Sequence, residues 1–311
     1  MSAIRVFAPA SIGNLAAGFD TLGAALRPVE GPPLGDRVEV RASDRATLTW
    51  DGPFAAQLPE DPARNLALRA CDAFARAWGH DLPPLAMHLH KGLPVGSGLG
   101  SSSATVVATL RALDLFFERP LDDERLLRAA GDAEAHASGA VHLDNVAPAL
   151  LGGLRFMDAL GRAVALPFPG DLRFVIAMPE LNLLTRDARA VLPGAVPLAL
   201  ALDHARNLAS LTHALHAGDR DLLKATLRDL IAEPHRARLV PGFRETQAAA
   251  LEAGAWGCSL SGAGPALFAV AEADRAAAIG DAMRGAWSAR GVVSRAFVCA
   301  LDTEGAREVR P

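Results

Sequence analysis

Pro94-Val95-Gly96-Ser97-Gly98-Leu99-Gly100-Ser101-Ser102-Ser103-Ala104 is the stretch on which the reading of this chain turns. Three glycines alternate, and three serines then open an Ala/Val/Leu-rich run. Glycine adopts backbone angles that other residues resist, so successive N–H groups can turn toward one point. A helix start adds free N–H donors and the positive end of its dipole. Together these features predict an anion cradle, most often one for phosphate. The serine hydroxyls add contacts or a Mg²⁺ ligand. The plainer alternative is a Gly/Ser turn that only caps a helix. A Walker loop fits poorly, because no lysine follows Gly100. A dinucleotide fingerprint also fits poorly. Its spacing is G-x-G-x-x-G, and the acid at the right distance here, Glu118, falls beyond the helix.

The rest of the chain bounds the setting. Its 311 residues, 50% hydrophobic and 21% charged, suit one large domain or two medium ones. A net charge of −4 gives no basic footprint for nucleic acid or an anionic membrane. Only Lys91 and Lys224 are lysines, so arginine carries nearly all the positive charge. Cys71, Cys258 and Cys299 are scattered and odd in number, which predicts a reducing compartment and no disulfide or metal pattern. The N-terminus lacks an apolar core of signal-peptide length, and no apolar run is long enough to span a bilayer. A cytoplasmic protein is the expectation.

Alternation predicts strands over 4–8, 36–42 and 85–90. His88 and His90 share one face of the last and are read as solvent-facing. Asp61-Pro62 and Gly79 bracket a helix over 62–78. Further helices are expected over 101–117, 122–138, 203–217, 219–232, 243–253 and 274–288. Strands are expected over 172–178, 257–261, 265–270 and 292–300. Helices and strands mix without strict alternation, which predicts an α+β fold. A boundary near residue 165 divides the chain into 1–165 and 166–311.

Four further clusters carry polar groups. Residues 8–23 form an irregular, apolar segment holding Ser11, Asn14 and Asp20, which need backbone or ligand partners if buried. Glu134 sits late on its helix, ahead of His142-Leu143-Asp144-Asn145. A carboxylate facing a phosphate loop supplies the hard oxygen that Mg²⁺ requires. Arginines cluster at Thr185–Arg189 and Glu233–Arg238, and their forks match carboxylates. Residues 259–265, Ser-Leu-Ser-Gly-Ala-Gly-Pro, form a second glycine turn that either supports the anion loop or makes a tight hairpin.

These clusters together resemble a known family. The 94–104 loop is similar to the P-x-x-x-G-L-G-S-S-A motif of the GHMP kinases, and 258–265 to their C-terminal glycine motif. Three segments resemble the homoserine kinase branch. They are Ala8-Pro9-Ala10-Ser11 through Gly18-Phe19-Asp20 to Gly23; Gly139 with His142 to Pro148; and Glu233-Pro234-His235-Arg236 with Leu239 to Gly242. The match runs in order from about residue 4 to the end. It implies two domains, an N-terminal ribosomal-protein-S5-like α/β domain and a C-terminal ferredoxin-like one. It also implies ATP-dependent phosphorylation of the L-homoserine side-chain hydroxyl in threonine biosynthesis. Under that resemblance Pro94 to Ala104 wrap the triphosphate, and Glu134 with Ser102, or also Ser101, holds Mg²⁺. Asn14, Asp20, His142, Asp144, Arg189 and Arg236 line the amino-acid site, and Thr185 lies near the transferring group. A homodimer is likewise a family-level expectation.

Two departures stand out. Ser103 replaces the family's alanine, and Ala16-Ala17 stands where Gly-Pro is usual. Base-using relatives have an aspartate where this chain has Asn145, and many carry an early lysine where this chain has none before Lys91. No dedicated general base is therefore expected, with Asn145 orienting the hydroxyl instead. A kinase of another small alcohol and a non-catalytic nucleotide-binding regulator are the two rival readings.

Overall fold

A computed structural model describes residues 3–138 and 142–310, with side chains omitted for residues 136–138. Gly139, part of the motif quoted above, lies outside the described residues. The chain begins with β1 (Ile4–Pro9), β2 (Ser11–Gly13), β3 (Leu22–Pro28), β4 (Gly35–Ala42) and β5 (Thr47–Asp51). Then come α1 (Leu66–Trp78), β6 (Leu85–His90), α2 (Ser101–Phe116), α3 (Asp123–Ser138) and α4 (Val146–Leu151). The middle holds β7 (Leu154–Met157), β8 (Ala163–Leu166), β9 (Leu172–Pro179), α5 (Thr185–Ala190), α6 (Leu198–Ala217), α7 (Arg220–Thr226) and α8 (Glu233–Arg236). It closes with α9 (Phe243–Glu252), β10 (Gly257–Leu260), β11 (Leu267–Glu272), α10 (Ala276–Ser288), β12 (Ser294–Leu301) and β13 (Arg307–Glu308). The α+β expectation holds.

One sheet has the order β13-β1-β4-β6-β5. The other runs β10-β11-β9-β12-β3-β7-β8, with β2 also bonded to β3. Two pairings tie distant parts of the chain together. Late strand β12 bonds early strand β3, with Ala300 opposite Arg27. Strand β13 returns to β1, with Phe7 opposite Arg307. Helix α2 packs on β1 and β4 and against α1, α3 and α4. Of its residues only Ser102 and Leu115 escape full burial. A helix covered on nearly every side belongs to the core, and this one aims its N-terminus at the site described below.

The sequence reading left β5, β7, β8, β13, α4, α5 and α8 unassigned and started α6 too late, and it differs from the structure in three more places. Asp61 caps a short 3-10 turn over Pro62–Arg64, and Asn65 starts α1 by accepting from the Ala67 N–H at 3.0 Å. The helix expected over 219–232 ends at Thr226. There Asn207 on α6 donates to the carbonyls of Thr226 (3.2 Å) and Arg228 (2.9 Å). The Asp229 carboxylate then gathers the N–H groups of Ile231, Ala232 and Glu233 (2.8–3.0 Å) and turns the backbone toward α8. Finally, the irregular segment 8–23 contains the end of β1, all of β2 and the start of β3, leaving only Ala10 and 14–21 without a strand. Strand β3 escaped notice because its first five residues are all buried, so no alternation marks it.

Candidate active site

The 91–100 segment joins β6 to α2 as a cradle with no side-chain cap on the helix start. Gly98 has φ +82°, and a Cβ there would lie 2.5 Å from the Ser261 carbonyl oxygen and 2.8 Å from that of Gly264. The second glycine turn therefore packs directly against the loop. Ser261 Oγ donates to the Gly98 carbonyl at 2.7 Å, and the Ala266 N–H donates to the Ser97 carbonyl at 3.1 Å. Of the two readings of residues 259–265, the structure has the supporting turn. Gly100 precedes α2 with φ +64°, and a Cβ there would strike Ser11 Oγ at 2.1 Å.

The loop forms one wall of a cavity of about 400 Å³. Val95, Gly96, Ser97, Gly98 and Gly100 to Ser103 line it. Pro94, Leu99 and Ala104 do not, and Leu99 and Ala104 are core residues with no exposed surface. Their part is to anchor the loop from beneath.

Glu134 reaches the same cavity from α3. Ser102 Oγ donates to Glu134 Oε2 at 3.1 Å, whereas Ser101 Oγ turns back to the Leu93 carbonyl at 3.2 Å. Burial pushes the Glu134 carboxyl up to about 7, against hydrogen bonds from Ser102 and Ser103 that favour the ionised form. A hydroxyl and one desolvated carboxylate at a phosphate cradle are the hard donors that suit Mg²⁺, which usually keeps waters and substrate phosphates as its other ligands. Among the described residues no cluster of His, Cys, Asp or Glu forms a metal site from protein alone. His88 and His90 instead face Asp51 at a partly exposed edge, His90 Nδ1 lying 2.6 Å from Asp51 Oδ1.

The same cavity holds a cluster of alternating charge. Arg189 Nη2 donates to Asp20 Oδ1 at 2.6 Å and lies 3.0 Å from His142 Nδ1. Desolvation lowers the His142 imidazole from its ordinary value, so the ring is neutral near pH 7. Arg236 is buried and held by the carbonyls of Ala188 (3.1 Å) and Gly262 (3.2 Å). Both guanidinium groups lie over the Phe19 ring, at 5.7 and 5.2 Å from its centroid.

The early loop is folded around these groups. Asn14 donates its side-chain N–H to the Gly262 carbonyl at 2.7 Å and accepts from the Asp20 N–H at 3.1 Å. Its backbone N–H donates to Asp144 Oδ2 at 2.9 Å. Burial, then the Asp20 charge, pushes the Asp144 carboxyl up to about 6. Asn14, Leu15, Ala16 and Asp20 all have positive φ. Such angles cost an L-residue roughly 1 kcal/mol each, and Ala16 pays it where the family pattern has Gly-Pro. Asn145 precedes α4 and accepts from Ser11 Oγ at 2.9 Å, beside Gly100. Thr185 opens α5 at the exposed rim.

The structure thus brings Asn14, Asp20, His142, Asp144, Asn145, Thr185, Arg189 and Arg236 into the cavity of the glycine loop. It adds residues that sequence reasoning missed. Lys91 is 1% exposed, and its Nζ bonds Asp36, the Ser101 carbonyl (2.8 Å) and Thr105 Oγ1 (2.9 Å). Asp36 also accepts from the N–H groups of Gly92 (3.0 Å) and Leu93 (3.1 Å), so this ion pair fixes both ends of the loop. A further wall comes from Gln57, Leu58, Pro59 and Arg64 to Leu66. Only the capping role of Asn65 was open to sequence reading.

Known proteins share this arrangement. Residues 65–153 match the GHMP kinases N terminal domain, and 211–289 match the GHMP kinases C terminal family. A homoserine kinase from Cytophaga hutchinsonii is 34% identical, covering 99% of this chain and 98% of its own, with a TM-score of 0.91. A putative homoserine kinase from Listeria monocytogenes is 24% identical over the full length of both chains, with a TM-score of 0.71. The phosphomevalonate kinase of Streptococcus pneumoniae shares the fold at 15% identity and a TM-score of 0.66, over 99% of each chain. No described helix is long and apolar enough to cross a membrane. With its glycine cradle, its second glycine turn and a relative 34% identical from end to end, the chain belongs to the GHMP kinases.

Proposed function

We propose that this protein phosphorylates the side-chain hydroxyl of L-homoserine with ATP, giving O-phospho-L-homoserine and ADP. The observation that carries this reading is one cavity lined both by a glycine-loop anion cradle and by the Asp20, Arg189 and Arg236 charges. A zwitterion needs an anion for its ammonium and a cation for its carboxylate. Asp20 and Arg189 now pair with each other, and an amino acid arriving between them exchanges that pair for two. Arg236 adds a second cation. Mevalonate or a neutral sugar leaves part of this charge pattern unmatched, and a similarity to mevalonate-type kinases below 25% identity speaks for the fold alone.

Glycine-loop N–H groups from Gly96 to Ser103 hold the triphosphate, and the Gln57–Leu66 wall takes the nucleoside end. Ser102 and Glu134 hold Mg²⁺, which supplies charge neutralisation on the phosphate oxygens. The hydroxyl oxygen bonds the γ-phosphorus as the bond to the β–γ bridging oxygen breaks. Asn145 and Thr185 orient the hydroxyl. No carboxylate stands at position 145, and a loose transition state asks for positioning and charge stabilisation rather than early proton abstraction. The proton leaves late, onto a phosphate oxygen.

ADP formation measured with ATP, Mg²⁺ and a panel of L-homoserine, L-threonine, mevalonate and galactose tests the proposal. Turnover with L-homoserine is expected. Activity confined to mevalonate or galactose overturns it, and none with any acceptor favours a nucleotide-binding regulator.

A further inference from the structure

A second cavity, of about 660 Å³, lies apart from the first, and no residue lines both. It is built from the far end of α2, the turn into α3, the end of α4, β7 and the segment carrying β13. Arg111 stands ten residues along α2 from Ser101, about 15 Å at the helix rise. Four arginines line this cavity: Arg111, Arg119, Arg155 and Arg307.

Their counter-charges are unevenly shared. Arg307 bonds Asp302 (3.1 Å) and Glu304 (2.8 Å), and Arg119 lies 3.8 Å from Asp114. Arg111 is 6% exposed; it donates to Asp114 (3.3 Å) and Asp123 (2.6 Å), and its Nε is closed to solvent, with no partner among the described residues. Arg155 donates Nε to the Gly152 carbonyl (2.6 Å) and Nη2 to the Leu151 carbonyl (2.8 Å). Among the described residues Arg155 makes no ion pair. Its guanidinium is lowered by burial, with Asp123 pulling the other way. The site therefore holds a half-buried cation, Arg155, with no directly paired carboxylate among the described residues. Such a cation gains from an arriving anion. The two carbonyl bonds also fix the Arg155 fork in advance, which lowers the ordering cost of binding.

We propose that this cavity binds a small anion, a carboxylate or phosphate group, on the guanidinium of Arg155. The rim carboxylates Asp123 and Glu304 are engaged with Arg111 and Arg307. Glu308, the third, opposes the anion and limits its affinity. The site goes beyond the proposed activity and does not depend on which alcohol is phosphorylated.

Calorimetric titration at constant ionic strength tests it, with inorganic phosphate in one arm and succinate in the other. The protein is first saturated with Mg²⁺ and a non-hydrolysable ATP analogue, so that the glycine cradle is filled. Saturable binding of at least one anion is expected, and the stronger arm identifies the group. Arg155→Gln is expected to weaken it about tenfold or more, the loss of one charge-assisted contact. Glu308→Gln, which removes a rim charge, is expected to tighten it about two- to fivefold. It keeps the test open if the first variant fails to fold. Heats of dilution alone in both arms, equal binding by folded Arg155→Gln, or unchanged or weakened binding by Glu308→Gln overturn the proposal.

Discussion

Glu134→Gln should make the ligand-free protein more stable at pH 8 while crippling catalysis. The unfolded chain ionises this carboxyl near 4.5 and the folded chain near 7. Below 4.5 both states are protonated and burial of the carboxyl has no electrostatic cost. Between 4.5 and 7 only the unfolded state releases the proton, so stability falls as pH rises. Above 7 both are ionised and the full cost stays, on the order of 3 kcal/mol for this shift. Most of that cost, roughly 2–3 kcal/mol, sets in between pH 5 and pH 8. Glutamine keeps an oxygen for Ser102 and removes the titration. Urea unfolding of wild type and Glu134→Gln at the two pH values measures it. The variant's gain over wild type should be roughly 2–3 kcal/mol larger at pH 8 than at pH 5. Asp144, also raised, falls in the same window but is present in both proteins. The same variant should lose about 10²-fold in kcat/KM, the range for removing a major electrostatic element. Parallel pH profiles for the two proteins would refute the reasoning.

Four further outcomes follow from the geometry. Lys91→Met should cost about 3–5 kcal/mol in urea unfolding at pH 7, because it leaves Asp36 charged and buried without its partner; a loss below about 1 kcal/mol would contradict the anchoring role. Gly98→Ala places a methyl against two carbonyl oxygens at positive φ, so ATP-analogue affinity by calorimetry should fall at least about tenfold while the circular dichroism spectrum stays. Asp20→Asn should raise the KM for L-homoserine about 30-fold, near 2 kcal/mol, and leave that for ATP unchanged; equal effects on both would place Asp20 elsewhere. Asn145→Asp should not raise steady-state turnover, since positioning rather than proton abstraction sets the rate, and a large gain would show that a base was missing.

What could be read from the sequence was local. The loop from Gly96 to Ser103 carries its meaning in neighbouring residues, as does Gly79 at the end of α1. The reading of Glu134 as a carboxylate facing the loop was local as well, whereas the substrate roles of His142 and Asp144 came from the family resemblance. What escaped depends on partners far away in the chain. Asp36 and Lys91 are 55 residues apart, and neither sits in a recognisable motif. Asp20 and Arg189 are 169 apart, so their mutual pairing was invisible although each was named. Helix α7 was drawn too long because the groups that stop it, Asn207 and Asp229, act through side chains on other segments. Strand β3 lacks alternation because both its faces are covered.

The central claim is that one cavity orients a zwitterionic alcohol so that its side-chain oxygen, and no other, takes the phosphoryl group. Phosphorus–proton correlation NMR on the product of ATP, Mg²⁺ and L-homoserine tests it most directly. The account predicts a phosphomonoester coupled to the side-chain methylene protons adjoining oxygen. A phosphate on the carboxyl group, or ATP consumed with only inorganic phosphate appearing, would contradict it.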